Sequence, residues 1–279
     1  MSAPLFVSTD WLATHLHDAD IAVIDASWYL PTMNRDGKAE YHAGHIPGAV
    51  HFDIDAVADK SSPLPHMLPS PEDFAKAVGA MGVSNQDHIV VYDGAGLFAA
   101  PRVWWTFRVM GATRVSILEG GAPKWQAEQR AWTDQASIKP AKTFTPHFDA
   151  SEVADLGAVK TALQSKNAQI IDARPAARFR GEAPEPRPGL ASGHMPGSFN
   201  VQFADIVAEG RLMSRDAIVA AFEKAGVNLA EPIITSCGSG VSAAILALAL
   251  QSIGHPVEAL YDGSWAEWGA RADCEVVTG

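Results

Sequence analysis

The sequence contains few cysteines and no long apolar run, and each absence argues against a class of protein. Two cysteines in 279 residues cannot form a disulfide framework, so we expect a reducing, cytoplasmic location. The longest apolar run, "AAILALAL", falls far short of the ~20 residues that span a bilayer. The first residues, "MSAPLFVSTDWLATHL", lack the basic region of a signal peptide. We therefore expect no membrane partner.

Basic residues are also scarce relative to acidic ones. The chain has 21 Lys and Arg against 32 Asp and Glu, a net charge of −11. This charge argues against nucleic acid as a partner, because phosphate backbones attract basic surfaces. Hydrophobic residues make up 47% of the chain and charged residues 19%, which is typical of a folded protein. The length suffices for two domains of ordinary size.

Four short motifs occur twice in the same order, which indicates a tandem repeat. The pairs are "AVIDA" (22–26) with "QIIDA" (169–173), "GHIPGA" (44–49) with "GHMPGS" (193–198), "VVYDGAG" (90–96) with "ITSCGSG" (234–240), and "LEGGAPKW" (118–125) with "YDGSWAEW" (261–268). The spacing between partners is nearly constant. Two copies of one unit therefore make up the chain.

Each copy has an α/β pattern. Short β-rich runs alternate with helical segments such as "SPEDFAKAVGAMGV" (70–83) and "SRDAIVAAFEKAGV" (214–227), each with a serine at its start. Apolar strands between helices predict a small parallel sheet covered on both faces. The aperiodic, proline-containing stretch 134–150 predicts a linker. We thus expect an amino-terminal non-catalytic domain at 1–133 and a carboxy-terminal catalytic domain at 151–279.

Cys237 lies in a glycine-rich turn between a buried strand and a helix expected to begin near Val241. Amides from Gly238 through Ser242, including that of Gly240, would point into the turn, and the helix amino terminus adds positive potential. Such a setting lowers a thiol pKa from ~8.5 toward ~3.5–7.5 and yields a reactive thiolate. The alternative is a small buried cysteine that ends a strand. The first copy carries Asp93 at the matching place, which favours catalysis in the second copy alone.

These motifs together resemble tandem rhodanese domains along essentially the whole chain. The family has "GHIPGA"-type turns, an active-site loop in the second copy and a closing segment like "DGSWAEWG". The loop "CGSGVSA" is similar to the CGSGVTA of members that use 3-mercaptopyruvate. Thiosulfate-specific members carry basic residues there, as in CRKGVTA. Ser242 replaces the usual threonine and keeps a hydroxyl.

The resemblance implies a fold of two rhodanese-like domains and a sulfurtransferase activity. Cys237 would take sulfur from 3-mercaptopyruvate as a persulfide, release pyruvate and pass the sulfur to cyanide or a thiol, such as reduced thioredoxin. No metal or organic cofactor is implied. Loop residues Gly238, Gly240, Val241 and Ser242 would contact the substrate and the persulfide.

The family also implies roles for residues outside the loop. Arg178 and Arg187, in "ARFRGEAPEPRPG", match its substrate arginines, and planar guanidinium groups suit a carboxylate. The first copy has no matching pair of arginines. A proton relay would map onto Ser239, His66 and Asp55. For His66 the alternative is a hydrogen-bonded interface histidine, and for Asp55 it is a helix cap or a salt-bridge partner.

Three other functions were weighed against this one. A cysteine phosphatase needs an arginine six residues after the cysteine, where this chain has Ala243. A thiosulfate sulfurtransferase is the nearest alternative, although no basic residue lies between Gly238 and Ala243. A persulfide relay module that receives sulfur from another protein remains the third.

Overall fold

The computed structural model describes residues 3–255 and 257–279. Two compact units divide the chain. Unit 1 comprises Met1–Lys60, Leu68–Asp149 and Glu209–Arg211, and unit 2 comprises Ser61–Met67, Ala150–Ala208 and Leu212–Gly279. These units differ from the predicted domains in two ways. Residues 61–67 belong to unit 2 and residues 209–211 to unit 1, and residues 134–149, which were predicted to be a linker, belong to unit 1. No helix among the described residues is long and apolar enough to cross a membrane.

Unit 1 is built on a five-stranded sheet with the order β1-β5-β4-β2-β3, in which every neighbouring pair is parallel. Its strands are β1 (Phe6–Val7), β2 (Ile21–Asp25), β3 (Val50–His51), β4 (His88–Tyr92) and β5 (Val115–Leu118). Its helices are α1 (Thr9–His15), α2 (Gly37–Ala43), α3 (Pro71–Ala80), α4 (Ala100–Val109) and α5 (Gly121–Ala127). Strands β2 and β4 are buried along their whole length, as expected for a sheet covered on both faces.

Unit 2 repeats this topology with the order β6-β12-β11-β7-β8, again parallel throughout. The strands of this sheet are β6 (Val153–Ala154), β7 (Gln169–Asp172), β8 (Phe199–Asn200), β11 (Ile233–Ser236) and β12 (Ala259–Tyr261), whereas β9 (Val207–Ala208) and β10 (Arg211–Leu212) are not part of it. The helices are α6 (Leu156–Ser165), α7 (Ala176–Phe179), α8 (Arg215–Lys224), α9 (Ala243–Ser252) and α10 (Ser264–Trp268). Strands β9 and β10 pair separately. The predicted α/β fold with one small parallel sheet in each copy is confirmed.

Serine caps explain where two predicted helices begin. The Ser70 hydroxyl accepts a hydrogen bond from the Asp73 amide (3.1 Å) at the start of α3. The Ser214 hydroxyl accepts one from the Ala217 amide (3.4 Å) at the start of α8. Each cap satisfies an amide that has no partner within the helix. The corresponding helices of the two copies thus begin in the same way.

The segment expected to be a linker packs along unit 1. Phe144 is buried, and its ring centroid lies 5.3 Å from that of Phe74 in α3. Lys142 Nζ lies 2.6 Å from Asp87 Oδ1, and the Thr145 amide donates to Asn85 Oδ1 at 2.6 Å. A buried aromatic ring and an ion pair hold this stretch in place although it has no helix or strand.

Candidate active site

The loop that begins at Cys237 follows the carboxyl end of β11, where parallel sheets place their ligand sites. Helix α9 begins at Ala243, two residues later than the sequence indicated, with Ser242 as its N-cap. Cys237 is 2% exposed, and Ser239 and Val241 are also buried. Gly240 has φ +78°, a backbone angle that glycine adopts without strain. The loop is thus a tight turn directly before a helix amino terminus.

Helix α10 holds the first residues of this loop. The Cys237 amide donates to Ser264 Oγ (3.3 Å), and that hydroxyl donates to the Tyr261 carbonyl (2.8 Å). The carbonyls of Cys237 and Gly238 accept from the amides of Trp265 and Ala266, both at 2.9 Å. The closing motif "DGSWAEW" of unit 2 thus fixes the backbone of the cysteine.

The matching loop of unit 1 holds a carboxylate. Asp93, at the position of Cys237, is buried, and its Oδ2 accepts from the amides of Phe98, Ala99 and Ala100 at 2.7–2.8 Å. Its Oδ1 accepts from the Ala95 amide at 2.9 Å. Four backbone amides therefore converge on one anionic side chain.

In unit 2 the residues that match Phe98 and Ala99 are Ser242 and Ala243. No protein acceptor is found for their amides in the part of the chain that the structure describes. The Ser242 side chain also makes no cap hydrogen bond. An anion bound in this loop can therefore take hydrogen bonds that the protein does not itself use.

Arg178 lies beside the cysteine loop. It is part of the short helix α7, and a Cβ placed on Gly238 would lie 3.2 Å from its Nη2 atom. The same nitrogen donates to Glu185 Oε2, whereas the buried Nε of Arg178 has no protein partner among the described residues. The guanidinium group is thus fixed at one edge and retains an unused donor.

Glu185 was not identified from the sequence, and its side chain is 1% exposed. It also accepts from Arg174 Nη1 (2.7 Å), so one carboxylate joins two arginines. Arg174 is equally buried, pairs with Asp172 (Nη2 to Oδ2, 2.7 Å) and lies 4.0 Å from the Trp265 ring centroid. Burial alone would lower the pKa of Arg174, but these two carboxylates raise it above its usual value. The only sequence signal was an acid within an arginine-rich, proline-rich segment.

Arg187 contacts His66, and both residues belong to unit 2. Arg187 Nη2 lies 3.2 Å from His66 Nε2. A guanidinium group only donates, so His66 Nε2 is the acceptor of this contact. His66 is buried and has φ +59°, which is uncommon outside glycine.

Of the three residues of the predicted relay, Ser239 and His66 belong to unit 2 and Asp55 belongs to unit 1. Asp55 Oδ2 accepts a hydrogen bond from Trp28 Nε1 at 2.8 Å. The relay stays a prediction. Among the described residues, no group of three or more His, Cys, Asp and Glu side chains is arranged to hold a metal ion.

Comparison with known proteins identifies the class. The rhodanese-like domain model matches residues 8–128 and 155–271. A 3-mercaptopyruvate sulfurtransferase of Escherichia coli K12 is 49% identical over 277 residues, which cover 99% of each chain. Thiosulfate/3-mercaptopyruvate sulfurtransferase 2 of Arabidopsis thaliana is 43% identical over 97% of this chain and 86% of its own.

A crystal structure of SseA from Escherichia coli, described as a 3-mercaptopyruvate sulfotransferase with the rhodanese fold, is also similar. It superposes with a TM-score of 0.87 at 46% identity, covering 95% of this chain and all of the other. The chain belongs to the rhodanese family and carries two rhodanese-like domains. It is an enzyme of the sulfurtransferase class.

Proposed function

We propose that the chain transfers sulfur from 3-mercaptopyruvate through a persulfide on Cys237. The observation that carries this proposal is the pair of matching loops. Four amides surround a carboxylate in unit 1, and the same loop in unit 2 begins with a thiol. A loop that accommodates an anion favours both the Cys237 thiolate and a persulfide anion.

The reaction begins when the Cys237 thiolate attacks the sulfur atom of the donor. The new S–S bond forms as the carbon–sulfur bond breaks, and the bonding electrons leave on the enolate of pyruvate. The enolate takes up one proton and becomes pyruvate. An acceptor thiol or cyanide then attacks the outer sulfur and regenerates the Cys237 thiolate.

Arg178 and Arg187 bind the carboxylate and ketone of the donor in this proposal. Arg178 is supported by its position beside Gly238 and by its unused buried Nε donor. Arg187 is supported by its partly buried position next to His66. Guanidinium groups on two sides fix a planar keto acid more firmly than point charges do.

Proton delivery to the enolate is assigned to Ser239, with His66 and Asp55 behind it. The support is the burial of Ser239 and His66 within unit 2 and the short spacing from Cys237 to Ser239. His66→Gln tests the relay, because a glutamine keeps an acceptor for Arg187 but cannot shuttle a proton. Full activity in this variant would contradict the relay without affecting the role of Cys237.

The activity test compares two donors. Pyruvate is measured from 3-mercaptopyruvate with a thiol acceptor, and thiocyanate is measured from thiosulfate with cyanide, for the unaltered chain, Cys237→Ser and the matched control Cys274→Ser. We expect a strong mercaptopyruvate preference that Cys237→Ser abolishes and Cys274→Ser preserves. A thiosulfate preference would overturn the donor assignment.

The physiological acceptor is tested with the same assay. Reduced thioredoxin, a small thiol and cyanide are compared as acceptors, and turnover with thioredoxin is the expected result. Inactivity with both donors, together with uptake of persulfide sulfur from another protein, would favour the relay module. A cytoplasmic location without a nucleic-acid or membrane partner stays a prediction from composition.

A further inference from the structure

Unit 1 contains a cavity of about 270 Å³, lined in part by charged side chains, that the sulfur-transfer proposal does not use. Its charged lining groups are the carboxylates of Asp25 and Glu40 and the guanidinium group of Arg35, and the indole of Trp132 forms part of its wall. The volume is slightly below the roughly 300–1,000 Å³ of sites for drug-sized ligands, so it suits a small ion.

The repeat shows what occupies the same place in unit 2. Three cavity-lining positions match residues that contact the Arg174 guanidinium group: Asp25 matches Asp172, Gly44 matches Gly193 and Ala122 matches Trp265. In unit 2, Arg174 Nη2 donates to Asp172 (2.7 Å) and to the Gly193 carbonyl (2.9 Å), and the guanidinium group stacks on Trp265.

The position of Arg174 itself is occupied by Ser27 in unit 1, and Ser27 also lines the cavity. The Asp25 carboxylate accepts from the Ser27 amide (2.8 Å), as Asp172 accepts from the Arg174 amide (2.8 Å). The backbone around the carboxylate is therefore conserved between the copies. A small serine replaces the long arginine, and the space of its guanidinium group remains.

The second carboxylate of unit 2, that of Glu185, also has a counterpart in unit 1. Glu40 accepts from Arg35 (Nε to Oε1 and Nη2 to Oε2, both 2.7 Å), and a Cβ on Gly94 would lie 3.3 Å from Arg35 Nη2. Glu185 and Arg178 form the matching pair beside Gly238. In unit 2 two carboxylates face two guanidinium groups, whereas in unit 1 two carboxylates face one. The cavity therefore has one guanidinium group fewer than the matching place in unit 2.

An aromatic wall also persists in a changed position. Ala122 cannot supply the ring that Trp265 supplies, but a Cβ on Gly44 would collide with the indole of Trp132. The Trp132 ring thus lies directly beside the Gly44 backbone, and a planar cation in the cavity can contact it. Burial raises the pKa of Asp25, although the nearby His51 opposes this shift.

We propose that the unit 1 cavity binds a small guanidinium compound. Its planar cation takes the place that the Arg174 side chain has in unit 2, with Asp25 and the Gly44 carbonyl accepting its hydrogen bonds and Glu40 balancing its charge. The site binds the guanidinium group itself, so any small molecule that presents this group and fits the volume is a ligand.

The test is an NMR titration of the full chain with methylguanidinium, followed through the amide signals of Gly44 and Gly94. Two matched probes separate charge from shape: urea is planar but neutral, and methylammonium is charged but not planar. We expect saturable binding of methylguanidinium and at least about tenfold weaker binding of both controls, because the site needs charge and a planar fork of donors.

Two variants locate the site. Ser27→Arg introduces the side chain that unit 2 has and should abolish methylguanidinium binding, while Asp25→Asn should weaken it by at least about tenfold. Ser165→Arg, at an exposed serine in the last turn of α6, is the control elsewhere in the chain. Absence of saturation by methylguanidinium, equal binding of urea, or binding that survives Ser27→Arg would overturn the proposal. Should either variant fail to fold, the three probes on the unaltered chain still decide it.

Discussion

The two loops at the carboxyl ends of β4 and β11 differ in what they enclose. In unit 1 the Asp93 side chain fills its own loop and uses four amides of the chain. In unit 2 Cys237 replaces the carboxylate, and the amides of Ser242 and Ala243 find no acceptor among the described residues. The loop is thus an anion cradle in unit 1, and we propose the same role for it in unit 2. In that proposal the residue at its first position determines whether the anion is structural or reactive.

The two copies also differ in the residues that lie next to the aspartate at the end of β2 and of β7. In unit 2 Arg174 and Trp265 fill the space next to Asp172, and in unit 1 Ser27 and Ala122 leave a cavity next to Asp25. Unit 2 keeps its charges paired behind the active loop. One copy therefore contains its own anion and a cavity that we propose to be a cation site. The other contains its own cation and a loop that we propose to bind an external anion.

Removal of the internal anion is expected to have the largest effect. Asp93→Ala leaves four amides without their acceptor, and each unsatisfied buried group costs on the order of 1–3 kcal/mol, so we expect a loss of at least about 4 kcal/mol in the free energy of unfolding. Urea denaturation measures it. The exposed Asp18→Ala is the control, with an expected change within about 0.5 kcal/mol. Equal stability of the two variants would mean that the cradle is not held by its carboxylate.

The glutamates of the two copies should differ in the same measurement. Glu185→Gln removes a fully buried charge between Arg174 and Arg178, and we expect a loss of about 3–5 kcal/mol. Glu40 is 39% exposed and pairs with a similarly exposed Arg35, so Glu40→Gln should cost about 1 kcal/mol or less. Similar losses of stability for both variants would contradict the distinction between the buried charge cluster of unit 2 and the partly exposed ion pair beside the cavity of unit 1.

The arginines that we propose to bind substrate carry the smallest of the three effects. Arg187→Ala should raise KM for 3-mercaptopyruvate by about 10- to 100-fold, which corresponds to the roughly 1.5–3 kcal/mol of a hydrogen bond to a charged group. Arg180→Ala is the matched control, because Arg180 is exposed and its guanidinium group pairs with Glu182. Steady-state kinetics on both variants measure the effect. An unchanged KM for Arg187→Ala would remove this residue from the site.

Much of the fold was predictable because it depends on local patterns. The serine caps of α3 and α8, the apolar runs of β4 and β11, and the repeated motifs correctly placed the elements of both copies. The start of α9 was predicted two residues too early, because the glycine-rich loop continues through Ser242 before the helix begins. The pairing of Arg174 with Glu185 was not predictable, because the two residues meet only when the proline-rich loop folds back over α7.

The sequence by itself determined the repeat, the α/β class and the position of the thiol, since each depends on spacing along the chain. Only the tertiary structure decided which groups surround that thiol and which side chain fills the matching loop of unit 1. Three contacts illustrate this point: the amides that converge on Asp93, the hydrogen bond between Cys237 and Ser264, and the pairing of Arg187 with His66. The first depends on the direction of backbone amides, and the other two join residues that are distant in sequence. Such contacts arise from packing in three dimensions, and hydrophobic periodicity does not specify them.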